Sequence, residues 1–349
     1  MKKTEKRDNR FLWLVLGLIA LLVCVVFASF YMGRFSKVDF HKIPLILFDQ
    51  IVPLKNPSWS LIEERVIISL RLPRIIAAVM VGASLAVSGV SFQMLFSNPV
   101  ASSDTLGVTS SASCGAVVAI ILGLGAFATK VISFITGSVA VLFVLYVSTK
   151  LSKGRNTTIY LILIGMVVSA LFSAMMSIMK FIADPTTQLP QITYWLMGSF
   201  SNISIKDIPY SAMFFAAGII PLFLLRWRMN LLSLSEYEAR SMGENVTGLR
   251  IVTICCATLL TASSVAITGG ISWVGLVIPH IARMLVGNDA RKLLPTSALL
   301  GSSFLLLMDD FARSLTVAEI PISILTSLFG APIFFVLLIK NKDRFANGN

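Results

Sequence analysis

Apolar residues in this chain run in long blocks and do not alternate with polar ones. Ten blocks stand out, at about residues 11–33, 72–95, 106–127, 131–149, 159–182, 208–225, 251–269, 271–287, 294–311 and 321–339. Each is near the roughly 20 residues that a helix needs to cross a bilayer. The pattern therefore predicts an all-α membrane protein of about ten transmembrane helices. Gly269 and Gly270 leave almost no linker between two of these blocks, and Pro279 is expected to kink or end the helix that contains it. The opening MKKTEKRDNR followed by FLWLVLGLIALLVCVVFASFYMG has the charge order of a signal peptide. Its apolar run is too long for an h-region, so it reads as an uncleaved first span.

Composition agrees with this reading. Hydrophobic residues make up 56% of the chain and charged ones 13%, with mean hydropathy +0.85, whereas a soluble domain carries roughly a quarter charged residues. The formal charge of +12 would suggest nucleic acid in a soluble chain. Here it reads as basic loops retained on the inner side of a membrane, with lipid and not nucleic acid as the partner. Placing the N-terminus inside collects eighteen of the 29 Lys and Arg on inner segments. Both termini are then cytoplasmic: a tail over 1–10, one transmembrane domain over 11–340, and a tail over 341–349.

That orientation puts Arg71 and Arg74 of SLRLPRIIAAVMVGASLAVSG in the outer loop before the second span, with Arg313 at the edge of another outer loop. Outer arginines can snorkel to lipid headgroups, and a cluster of three can also steer an acidic partner into place. Asp309, Asp310 and Glu319 lie close by in sequence. Intramembrane acids are candidates for a proton relay, but their nearness to Arg313 favours an ion pair. Small residues recur at helical spacing as Gly82, Ala86 and Gly89, and as Gly107, Ser111 and Gly115. They allow close helix packing or line a path, and packing is the default.

The longest informative inner loop, RWRMNLLSLSEYEARSMGENVTGLR, spans residues 226–250. Ser233 and Glu236 have capping-box spacing and Gly243 suits a helix stop, so a short helix over about 235–242 is expected. It is either a solvated connector or a grip for a soluble partner. No G-x-x-x-x-G-K-[ST] loop, nucleophile triad or metal-ligand array is present in the sequence. The four cysteines sit in apolar runs and read as packing residues. His280, in GLVIPHIARMLVG, reads as a packed structural group. The chain is not expected to be an enzyme, nor to hold a cofactor or metal.

Several long motifs in order resemble one known group. RLPRIIAAVMVGASLAVSGVSFQMLFSNPVASSDTLGVTSSASCGA, YWLMGSFS, EARSMG, GGISWVGLVIPHIARMLVGNDARKLLP and LLLMDDFARSLTVAEIPISILTSLFGAPIFFVLL resemble the permease subunits of iron-siderophore and cobalamin ABC importers, the FecCD family. The resemblance implies the type II ABC importer permease fold and a homodimer with the path along its axis. It also implies two ATPase subunits on the cytoplasmic face, which hold ATP and Mg, and an extracytoplasmic binding protein that delivers the cargo. The expected location is the cytoplasmic membrane of a prokaryote. The cargo expectation is an iron chelate, with cobalamin, haem or an oxyanion as alternatives on the same machinery. An ion-coupled secondary transporter is the alternative of a different class.

By the same resemblance, Arg71, Arg74 and Arg313 meet carboxylates on the binding protein. Asn98, Pro99 and Val100, with Thr157 and Thr158, form the cytoplasmic gate. Glu236, Ala239, Arg240 and Gly243 couple to the ATPase. This chain departs from the family's usual pattern at Val100 (leucine there), at Ser323 (glycine), at Ala290 (often histidine) and in a 313–319 loop one residue shorter.

Overall fold

The computed structural model describes residues 2–33, 38–39, 41–50, 58–152, 157–234, 238, 241–243 and 245–340. Helices α1 (Lys2–Tyr31), α2 (Lys42–Asp49), α3 (Leu61–Arg65), α4 (Leu72–Leu95), α5 (Val108–Ile121), α6 (Ala126–Ser152) and α7 (Thr157–Ile182) form the first part. The second part has α8 (Gln188–Leu196), α9 (Asp207–Leu224), α10 (Arg226–Met229), α11 (Val246–Thr268), α12 (Val274–Val286), α13 (Ala290–Ser314) and α14 (Ile322–Lys340). No strand occurs among the described residues.

Among the described residues, six helical stretches are long and apolar enough to cross a membrane: Asn9–Tyr31, Leu61–Leu95, Ala126–Ser152, Thr157–Ile182, Asp207–Leu224 and Val246–Thr268. Two of the ten predicted blocks give helices shorter than expected. α5 has 14 residues and α12 has 13, or roughly 20 Å each at 1.5 Å per residue. Gly107 and Gly269, both at positive φ, mark where the backbone leaves the helical path just before them. Pro279 neither ends nor interrupts α12, which runs on to Val286.

Burial orders the layers. In the stretch containing α4, 78% of the apolar window is buried, and in α11 72%, against 6% in α1 and 17% in α7. α4 and α11 are therefore the centre, while α1 and α7 present apolar faces outward. Close backbone approach is what places α4 there. A Cβ on Gly82 would collide with the carbonyl of Gly301 on α13, and one on Gly89 with the carbonyl of Gly275 on α12. The small-residue stripe on α4 is thus used for packing.

The described residues of the expected loop before the second span are largely helical. Ser60 caps α3: its hydroxyl accepts from the Glu63 amide at 3.2 Å, and Glu63 accepts from the Ser60 amide at 2.7 Å. That S-x-x-E box was present in the sequence and is the signal that marks the true start of the helix. α3 continues into α4 through a π-turn, Val66–Arg71, in which the Leu72 amide donates to the Ile67 carbonyl. Pro73 explains the turn: it lacks an amide proton and its ring would clash with an α-helical carbonyl one turn back. Arg71 and Arg74 accordingly stand inside a continuous helical stretch and not at a loop mouth.

Candidate functional site

α4 begins beside the ends of α1 and α13, and there Arg74 and Arg313 meet three carboxylates, with Arg71 alongside against the end of α1. Arg74 holds Asp309 with its Nε (2.9 and 2.8 Å to the two oxygens) and its Nη2 (2.8 Å). The other edge of the same guanidinium, Nη1, holds both oxygens of Glu319 at 2.8 and 2.9 Å. Asp309 is fully buried, whereas the Glu319 side chain is 41% exposed. Arg313 pairs with Asp310, donates to the Ser29 hydroxyl at 2.6 Å, and lies 3.8 Å from Asp309. The Ser29 hydroxyl in turn donates to Asp310 at 2.7 Å. Arg71 donates to the Phe30 carbonyl at the end of α1. A side chain on Gly33 would touch both Arg71 and Arg313.

The sequence expectation is corrected here in two respects. The three arginines are brought together as predicted, but they are buried, with no more than 8% of any of them exposed, and they are not a bare cationic rim. The acids do form ion pairs, yet Glu319 chooses Arg74 and not the neighbouring Arg313. Burial explains both. A charge removed from water must be matched nearby, and only the tertiary fold sets which acid reaches which arginine.

The serine in the EIPIS departure has a use. Its hydroxyl, on Ser323, donates to the Gly270 carbonyl at 2.6 Å. The Ile322 and Ser323 amides donate to the Gly198 and Met197 carbonyls at 3.0 and 3.1 Å. The YWLMGSFS, GGIS and EIPIS motifs thereby converge at the start of α14.

At the opposite end of α4 and α13, Asn98 accepts from the Val100 amide at 3.0 Å, and Val100 is half exposed. Thr157 is buried and donates to Ser152 at 3.2 Å. No hydrogen bond joins Asn98–Val100 to Thr157 or Thr158 among the described residues. Glu236, Ala239 and Arg240 lie outside the described residues, so the coupling helix is not described. Gly243 adopts φ +79°, the conformation a helix stop requires. Ser233, expected to cap that helix, donates to the Asn230 carbonyl at 2.7 Å, and its expected capping-box partner Glu236 lies outside the described residues.

Sequence reasoning missed a clamp in this region. The Asn230 amide group donates to Asp289 at 3.0 Å and accepts from the Ala290 amide at 2.8 Å. Arg291 also holds Asp289, at 2.8 Å. These contacts, with Arg291 contributing most, press the Asp289 carboxyl down to about 2. The asparagine in the loop after α10 gave no signal of its own, because its partner is 59 residues away. Between α4, α11 and α12 lies a cavity of about 200 Å³ whose lining includes Ser88, Ser102, Ser103, Thr109, Thr261 and Ser272.

The model of the FecCD transport family matches residues 19–340. This chain belongs to the FecCD transport family. It is 42% identical over 331 residues to the molybdate import system permease protein MolB of Haemophilus influenzae, covering 94% of this chain and 96% of that one. It is 41% identical over 277 residues to the "Probable iron chelatin transport system permease protein" of Helicobacter pylori strain 26695, covering 79% and 83%. A solved ABC transporter in an inward-facing conformation superposes with TM-score 0.82 at 40% identity, covering 93% of this chain and 98% of that one. The FecCD chain described here is therefore a multi-pass membrane protein and a permease subunit of an ABC importer.

Proposed function

We propose that two copies of this chain form the transmembrane pathway of an importer driven by two separate ATPase subunits. In this reading an extracytoplasmic binding protein delivers the cargo to the arginine end of the bundle, and the 226–250 segment meets the ATPases at the other. The observation that carries the reading is the family match over residues 19–340, in a chain whose sequence contains no phosphate-binding loop of its own. The buried arginine cluster supports the choice of outer end, since docking on a carboxylate-bearing partner needs cations there.

For the cargo we propose a metal-bearing oxyanion of the molybdate kind. The similarity to MolB, 42% over 94% of this chain, supports it. The cavity offers six hydroxyls that can hydrogen-bond an oxyanion, beside Asp104 and an apolar wall that includes Leu85, Val265, Ile271 and Trp273. An iron chelate is the second reading, supported by the Helicobacter relative at 41% over 79%. Calorimetry on the binding protein of the same transport system tests this: tight molybdate binding with no uptake of ferric chelates is the expected result, and the reverse selects the iron reading. Reconstituted permease that moves cargo on an ion gradient without any ATPase would sink both.

A further inference from the structure

The Arg74 guanidinium is divided between two carboxylates that differ in exposure. Its Nε and Nη2 edge is spent on Asp309, which is 0% exposed, while its Nη1 edge faces Glu319, which is 41% exposed. The buried pair is an anchor, because separating it would strand a carboxylate in a dry site. The outer pair is different. Glu319 sits on the short link between α13 and α14, and water competes for it, so the net value of that contact is small. With three arginines and three acids drawn together, the cluster is neutral as a whole and offers little long-range pull on an acidic partner.

We propose that Glu319 is a displaceable cap on the docking surface: a carboxylate of the binding protein takes its place on the Nη1 edge of Arg74, while Asp309 keeps the guanidinium oriented. This rests on the reading that the arginine end receives the binding protein. The Arg74 fork stays fixed during the exchange, since its other edge never lets go, and the incoming acid finds donors already aimed. Docking then trades one ion pair for another, which selects a partner whose acid is better placed than Glu319 and rejects acidic proteins that merely approach.

The test uses the intact permease–ATPase complex in nanodiscs and the binding protein of the same system. Glu319→Gln removes the negative charge from the Nη1 edge of Arg74, leaving at most a neutral and more easily displaced acceptor there, and keeps Asp309 in place. It is expected to bind roughly fivefold tighter, chiefly through faster association, with a steeper loss of affinity as salt rises. The gain should vanish when Arg74→Ala is added. An unchanged or weaker Glu319→Gln, beside an Arg74→Ala that binds poorly, overturns the cap and leaves the docking reading standing. Affinity unmoved by Arg74→Ala and by Arg313→Ala, in folded complexes, overturns docking and the cap together. Since Glu319 is half exposed on a link, its variant folds even where Arg74→Ala does not, and the salt dependence alone then decides.

Discussion

Arg74 illustrates how much one side chain carries when it serves a buried carboxylate on one edge and a half-exposed one on the other. Replacing it with alanine leaves Asp309, at 0% exposure, with only Arg313 at 3.8 Å, and removing one partner of a buried pair costs about 3–5 kcal/mol. Arg74→Ala should therefore lower the unfolding free energy in detergent by about 3 kcal/mol or more. Glu319→Gln, losing only the charge of a half-exposed contact, should lower it by less than about 1 kcal/mol. Chemical denaturation of the two variants side by side checks the contrast, and equal losses would mean that the cluster is wetter than its geometry implies. The sequence placed the three arginines and three acids near one another. It could not rank them, because Asp309 lies 235 residues from Arg74 and nothing local records the pairing.

Among the elements, α4 and α13 meet through glycine. A Cβ on Gly301 would strike the carbonyl of Gly82 and the Cβ of Ala86, so the two backbones touch along this line. A larger side chain cannot be absorbed by rotating a flexible neighbour, since the obstacle is backbone. Gly301→Val should cost at least the 1–3 kcal/mol of ordinary overpacking and should reduce the yield of folded protein. Gly17→Ala, on the outward part of α1 with nothing within 4 Å, should change neither. Thermal melting of both variants in one detergent separates packing from loss of a glycine as such. The small-residue spacing on α4 was legible in the sequence, yet its use was not: packing and lining a path share one spacing until the partner helix is known. The π-turn was likewise hidden, although Pro73 and the Ser60–Glu63 box together mark where a regular helix must adjust.

For the molecule as a whole, α13 joins the two regions of interest. Its last turns carry Asp309, Asp310 and Arg313, and its N-cap is Asp289, held by Asn230 from the loop after α10. At 25 residues it spans roughly 37 Å, so a rigid shift at one end reaches the other. The clamp has a pH signature. Asp289 titrates at about 2 in the fold against an ordinary 3.8. Its folded value is the lower one, so its stabilising effect is complete well above 3.8 and is lost as pH falls through about 2. The stability difference between the parent chain and Asp289→Asn should be constant near neutrality, shrink as pH falls below about 5 and vanish only below about pH 2. Acid titration of the melting temperature checks it, and a difference that keeps its neutral-pH size at about pH 2 would remove the carboxylate from the clamp.

What the sequence determined by itself was the class of molecule. Blocks of apolar residues near bilayer length leave a helical membrane protein as the solution that satisfies every backbone group, and the ordered motifs point to the FecCD family on their own. Helix existence was legible for the same reason, since it rests on local composition. The tertiary structure decided the rest: that the arginines are neutralised and buried, that Glu319 turns to Arg74, that Ser323 closes onto Gly270, and that Asn230 reaches Asp289. Each of these joins residues distant in the chain. Charge and hydrogen-bond partners are chosen by which ends of which helices pack together, and that is a property of the assembled fold and not of any segment.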